Sequence, residues 1–359
     1  MNIVKKTIIQ LVIKIMHITS WLETKVTPPK ILLLKMIVAY WMTQGIYVAA
    51  KLRIADHLKS GPRTNEELAA LVNADPRNLY RLMRMLVGNG IFDADDQGRY
   101  SLNAIAQHLL TDNPDSLHAM ATIFGGDFYR AWGTLDYSVQ TGETAFDHVF
   151  GQPLFEYLKA NKDTGEDFRN MVNEVSLLFV SPVAEVYDFS PFRTIVDVGG
   201  GLGLLLSRIL HSHPDARGNI FDLPEVATDC EQYMQSQNLS QRYIFTAGDF
   251  FQQVPDGGDL YLLSQILHDW NDENSITILK NCHNAMPKTA KLLIIEKVVP
   301  EGNEHHLSKF EDVNMMVLTG GQERTAAEYT HLLERAGFLI LQIVPTPSPV
   351  SIIEACPVK

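Results

Sequence analysis

The sequence predicts an α/β fold: a mostly parallel, seven-stranded sheet in the C-terminal half, behind a helical region that ends in a small wing. From residue 194 the chain becomes a series of short β-branched or leucine-rich runs separated by helical stretches: "TIVDVGG", "GNIFDL", "RYIFTAGD", "DLYLLSQIL", "AKLLIIEKVV", "FLILQIV" and "SIIEACPV". Runs that stay apolar without alternation belong to strands covered on both faces, the pattern of a parallel sheet between helices. The wing rests on a second observation. "TNEELAALVNADPRNLYRLMRMLVGNGIF" reads as two helices about a turn, and "IFDADDQGRYSL" then alternates apolar and polar residues around Gln-Gly.

Residues 1–25 open with two lysines and an apolar stretch broken by Gln10, Lys14 and His17. The run is too short to span a bilayer, and no small-residue cleavage site follows it. A basic amphipathic extension is expected there, packed on the protein, on a partner subunit or against a membrane surface. Residues 26–112 form the winged helix. Their first part, "ILLLKMIVAYWMTQGIYVAAKLRIADHL", is apolar nearly all round and is expected to be buried, against a second subunit. Thr64 and Glu67 then make a capping box, Asp75-Pro76 a turn, and Gly88 lies near the end of the second helix.

A winged helix invites a DNA-binding reading, and Arg77, Arg81 and Arg84 do share one helix face. Residues 51–110, however, hold eight basic and seven acidic side chains, a net of only +1. A packing or dimer-forming role is preferred. The whole chain carries −12, from 30 basic and 42 acidic residues, which argues against a general nucleic-acid binder. With 359 residues, 46% apolar and 20% charged, it is long enough for two domains and a large core. Cys230, Cys282 and Cys356 form no paired framework, which fits a reducing cytoplasm, and no zinc or other metal ligand set is legible.

Residues 113–359 make the second domain, in two parts. Over 113–190 the chain is helical and aromatic-rich; Phe124, Phe128, Trp132, Phe150 and Phe155 line a pocket or fill an ordinary core. Over 191–359 come the seven runs. The last two are joined by "PTPSP" without a helix, so the final strand is expected to insert antiparallel.

"VDVGGGLGLLLSRIL" is a strand, a glycine turn and a helix, in which Gly199 and Gly201 let the backbone approach a ligand closely. Leu204 stands where a dinucleotide fingerprint needs glycine, so the spacing suits a ligand without a pyrophosphate. Asp222, with Leu223 beside it, ends the second strand about twenty residues on, the place of an acid for a ribose diol. Asp249 and Phe250 end the third strand, where a carboxylate and a ring can flank an adenine. His268 follows the fourth strand in "ILHDWND", beside Asp269, which either orients the ring or caps the next helix.

"VDVGGGLG", "FDLP", "AGDFF", "LHDWND" and "GGQERT" in this order resemble the class I S-adenosylmethionine-dependent O-methyltransferases of the caffeic acid and hydroxyindole O-methyltransferase type, in their bacterial small-molecule form. The resemblance runs from about residue 30 to the C-terminus. It implies a winged-helix dimerisation domain before a Rossmann-like methyltransferase domain, S-adenosylmethionine as cofactor and a homodimer. It also implies transfer of a methyl group to a hydroxyl oxygen of a small aromatic, phenolic or polyketide-like metabolite, with His268 as general base and Glu296 and Glu323 as its acidic partners.

Ser264 stands where the resemblance places a cofactor contact. Met171, Phe179, Trp270, Met315 and Met316 are the expected acceptor walls, since thioethers and rings suit a flat phenol. Neither nucleic acid nor stable membrane insertion is expected. Two alternatives remain at this level: a methyltransferase-fold enzyme using the cofactor for non-methylating chemistry, and a winged-helix DNA-binding regulator.

Overall fold

The computed structural model describes residues 26–358, so the extension expected over residues 1–25 lies outside the described residues. The chain divides into two compact units, one ending at Gly126 and one beginning at Asp127.

In the first unit the helices Asn65–Leu71 and Pro76–Gly88 form about the Asp75-Pro76 turn. The Thr64 side chain accepts from the Glu67 N–H and Glu67 returns a bond to the Thr64 N–H, so the capping box is present as read. The wing is small: β1 (Asp93–Ala94) pairs antiparallel with β2 (Tyr100–Ser101), and Arg63 bridges to Tyr100. Ile54, Leu68, Leu79, Met83, Leu86 and Phe92 are buried in the core of this unit. The unit also takes in the helix His118–Gly125, which the sequence places with the second domain. Gly125 explains why: a Cβ there would lie 2.2 Å from that of Tyr47, and its carbonyl accepts from Gln44 at 2.9 Å.

The start of the apolar stretch ahead of it is uncovered in the single chain. No residue of the helix Pro29–Ile37 is buried within the chain, and Leu33, Leu34, Met36, Ile37, Tyr40 and Trp41 are exposed. By length and composition Pro29–Lys51 is apolar enough to cross a membrane, with a mean hydropathy of 1.5. A stripe this apolar needs a cover that the described residues of one copy do not supply.

The second unit is built on one sheet. Its strands are β3 (Thr194–Val198), β4 (Arg217–Asp222), β5 (Tyr243–Ala247), β6 (Leu260–Ser264), β7 (Lys291–Val299), the two-residue β8 (Arg324–Thr325), β9 (Phe338–Pro345) and β10 (Val350–Pro357). Seven lie in the order β5-β4-β3-β6-β7-β10-β9, and β8 pairs with the end of β7. From β5 across to β7 all pairing is parallel, whereas β10 runs antiparallel between β7 and β9, the insertion that "PTPSP" predicts.

Side chains alternate across the sheet, and both faces are covered. Ile195, Leu260, Leu262, Leu293 and Ile295 meet Leu205, Leu206 and Ile209 of the helix Leu204–Ser212. Val196, Tyr261, Leu263, Leu292 and Ile294 meet Ile278, Leu279, Leu332 and Leu333 from the helices Asp272–Ala285 and Ala326–Arg335. Each such side chain contributes roughly 1.5–3 kcal/mol on burial, which is why the strands read as unbroken apolar runs. The strand order reverses between β3 and β6. In open α/β sheets a crevice opens at that point, past the carboxyl ends of the strands.

Candidate active site

The glycine turn lies at the carboxyl end of β3. Gly199, Gly201 and Gly203 take φ of 69°, 56° and 80°, a region L side chains rarely adopt. Gly199 is also closely packed, since a Cβ there would sit 2.4 Å from Ile266 Cδ1, while the space beyond Gly201 is open. Asp222 closes this turn: its carboxylate accepts the Gly201 N–H at 2.8 Å and the Leu223 N–H at 2.7 Å. Burial raises the Asp222 pKa against the pull of those two amides. Asp249, past β5, accepts the Phe251 N–H at 2.8 Å, and Phe250 lies across the crevice within 3.6 Å of a Gly199 Cβ. The turn, the two acids, Phe250 and the exposed Leu223 thus gather at one sheet edge, together with Ser264 at the end of β6.

His268 lies in the short turn Leu267–Asp269 that follows β6. Its Nδ1 is 2.9 Å from Oε1 of Glu323, whose side chain is fully buried. Its Nε2 is 3.9 Å from Asp269. Burial works to lower the His268 pKa, but the charges of Asp269 and Glu323 outweigh it and hold the ring up at about 9. Burial likewise pushes Asp269 to about 6 against the opposing charge of His268. Glu323 lies below the ordinary glutamate value: burial would raise it, and His268, Lys297 and Arg324 more than offset that.

This geometry corrects one expectation and closes one alternative. Glu296 does not touch the His268 ring. Its Oε1 accepts the backbone N–H groups of Ile266, Leu267 and His268 at 3.1, 2.6 and 3.3 Å, and its Oε2 accepts the Tyr329 hydroxyl. It holds the turn, not the imidazole. Nor does Asp269 cap the next helix; Asn271 does, accepting the Asn274 N–H at 3.0 Å. Asp269 is thereby free to face the histidine.

Arg324 and Lys297 went unmarked in the sequence. Arg324, fully buried, donates to the carbonyls of Leu267 and Trp270 and to Asp272, clamping the far side of the turn. Lys297, 2% exposed, donates to Gln265 Oε1 at 3.0 Å, pairs with Glu311 and lies 3.8 Å from Glu323. The signals were there: "GGQERT" puts an arginine beside the glutamate, and "LLIIEKVV" sets two charges inside an apolar run. Gly321 completes the packing, because a Cβ there would fall 2.1 Å from the His268 carbonyl oxygen. Gly321→Ala is expected to push the turn aside and cost roughly 10²-fold in kcat; steady-state kinetics with near-wild-type kcat would show that the turn accommodates it.

The expected acceptor walls come from separate elements. Trp270 stacks on Phe155 with centroids 5.6 Å apart and meets Phe250 and Phe251 edge-on. Phe179 lies in the π-helical turn Ser176–Val180, its ring 5.9 Å from Lys297 Nζ. Met315 and Met316 lie on the helix Leu307–Leu318, which also carries Glu311, and Met171 is buried on the helix Lys162–Val175. Among the described residues no group of three or more His, Cys, Asp or Glu is arranged to hold a metal ion.

Comparison with known proteins bears on this arrangement directly. Residues 132–339 match the O-methyltransferase domain, and residues 34–112 the O-methyltransferase dimerisation domain, which supports a homodimer. The phenazine O-methyltransferase PhzM of Lysobacter antibioticus is 43% identical over 92% of this chain and 97% of its own length. The crystal structure of LaPhzM is similar with a TM-score of 0.89 at 43% identity, over 92% of this chain and 100% of that one. A neocarzinostatin-biosynthesis O-methyltransferase, solved with S-adenosylmethionine and 2-hydroxy-5-methyl naphthoic acid, has a TM-score of 0.78 at 32% identity, over 88% and 96% of the two chains. The chain belongs to the S-adenosylmethionine-dependent O-methyltransferases.

Proposed function

We propose that this enzyme methylates a hydroxyl on a small, flat aromatic acceptor, phenolic or phenazine-like, with His268 as general base. The observation that carries the proposal is the 2.9 Å contact between His268 and Glu323, placed past β6 beside the glycine turn. S-adenosylmethionine supplies an already activated methyl group, so the protein's own task is to position the acceptor and take its proton. In the neutral ring, which a pKa of about 9 makes the major form only in alkaline solution, Glu323 fixes the proton on Nδ1 and leaves Nε2 to receive the one from the acceptor. Gly199, Gly201, Asp222, Leu223, Asp249, Phe250 and Ser264 would hold the cofactor: the open space over Gly201 and the two carboxylates fit an adenosyl group. Trp270, Phe179, Met171, Met315 and Met316 would wall the acceptor.

Purified enzyme with S-adenosylmethionine and a panel of phenols, naphthols and hydroxyphenazines should release S-adenosylhomocysteine and a methyl ether. Cofactor binding without turnover on any of them would sink the acceptor class.

The role of Asp269 can be tested by pH. Its carboxylate stabilises the imidazolium, so removing the charge must lower the ring's pKa. In the cofactor-free protein the His268 ring should titrate near 9 by NMR, and in Asp269→Asn it should titrate lower. An unmoved titration would take Asp269 out of the site.

We also place the enzyme in the cytoplasm, bound neither to nucleic acid nor into a membrane. The exposed apolar stripe over 29–41 is then the face covered by the second subunit, as the match to the dimerisation domain suggests.

A further inference from the structure

Lys297 is a fully formed ammonium site that methyl transfer does not obviously require. It projects from β7, next to Glu296, into a pocket closed by three other elements. Gln265 reaches it from the end of β6, Glu311 from the acceptor-side helix, and Glu323 from the loop before β8. The Phe179 ring covers it at 5.9 Å. A lysine almost never stays this buried without paired charges.

Its partners are what make it informative. Glu323 gives the same oxygen, Oε1, to His268 at 2.9 Å and to Lys297 at 3.8 Å, while its Oε2 is buried and finds no hydrogen-bond partner among the described residues. Apart from its bond to His268, the carboxylate that orients the base is therefore held by neighbouring charge. Gln265, Lys297's other partner, holds φ 56°, a costly conformation for a residue with a Cβ, at the point where the chain leaves β6 for His268.

We infer that Lys297 is a positioning residue for methyl transfer: its ammonium, divided between Glu311 and Glu323, sets how tightly the His268–Glu323 pair holds its proton. This rests on His268 being the base. Other charged and polar groups also face the pair. Asp269 faces the second ring nitrogen, Glu296 and Tyr329 lie under the turn, Arg324 clamps its carbonyls and Asp312 accepts the Glu323 N–H. Glu311 is the adjustable one, a quarter exposed and carried by the helix that bears Met315 and Met316. The acceptor wall and the base are thus joined through one ammonium.

The sign follows from charge alone. Without the ammonium, the histidine and glutamate together keep their shared proton to higher pH, whichever of the two holds it. Without Glu311, the ammonium acts undivided on Glu323 and the proton leaves earlier. Lys297→Met should raise the His268 titration in the cofactor-free protein, followed by ring NMR, by about one pH unit. The rising limb of kcat should move up equally, with about 10-fold less turnover below it. Glu311→Gln should move both the other way, and Lys297→Arg should restore the wild-type profile. If Lys297→Met does not fold, Lys297→Met combined with Glu311→Gln must still titrate above Glu311→Gln alone. Lower kcat with an unmoved titration would overturn the inference. A His268→Ala enzyme that kept its turnover would instead remove the base, leaving the titration shifts to judge Lys297 separately.

Discussion

His268→Ala is expected to lower kcat by roughly 10²–10⁴-fold, the ordinary worth of a positioned general base. Affinity for S-adenosylhomocysteine should stay within about two-fold by calorimetry, because Asp222 bonds to the glycine turn and Asp249 to the Phe251 N–H, neither of them to the imidazole. The control lies in the acceptor. A phenol acidic enough to be ionised at assay pH has no proton to give, so its turnover should fall far less than that of an ordinary phenol. Equal losses on both would mean that the ring positions the acceptor and does not deprotonate it. Unchanged turnover on both would remove His268 from the chemistry.

The second large effect is on stability and comes from Arg324. Replacing it by leucine takes the charged donor from the carbonyls of Leu267 and Trp270 and leaves Asp272 with Gln322 alone. Because Asp272 is nearly half exposed, little of the loss is ion-pair energy. The lost hydrogen bonds to a charged, buried donor dominate, since the Ser275 hydroxyl still reaches both carbonyls, and together they should cost on the order of 3 kcal/mol. Thermal unfolding should shift down by roughly 6–12 °C, and kcat should fall further than the folded fraction explains, because the clamped turn carries His268. A variant with wild-type Tm would show that the turn holds itself.

These residues also show where the sequence was readable. The sheet was legible because its strands are covered on both faces, so each one writes an apolar run of its own length. The antiparallel last strand was legible because "PTPSP" leaves no room for a crossover helix. His268, Asp222 and Asp249 could be found because strand ends face the crevice. What could not be read was which atom meets which. Glu296 ends a strand beside the histidine, yet nothing in "LLIIEKVV" says that its oxygens take three backbone amides in place of the ring. Asp269 and Asn271 both suit a helix start, and only the backbone geometry chooses Asn271. Lys297 and Arg324 act across 32 and 57 residues of chain, beyond the reach of any local pattern. The exposed Pro29–Ile37 helix fits its reading in part: apolarity says that a surface will be covered, and one chain does not show by what.

The turn that carries His268 is gripped by its peptide groups: Glu296 takes the N–H groups at one end and Arg324 the carbonyls at the other. Peptide groups are the same for every amino acid. The foundation of the site is therefore indifferent to which side chains the turn displays, and the residues that face the acceptor are open to change without rebuilding what supports them. Such an architecture suits a catalyst whose descendants must trade one aromatic metabolite for another. It also marks Trp270, the proposed acceptor wall that follows the turn, as the position where an engineer should randomise first.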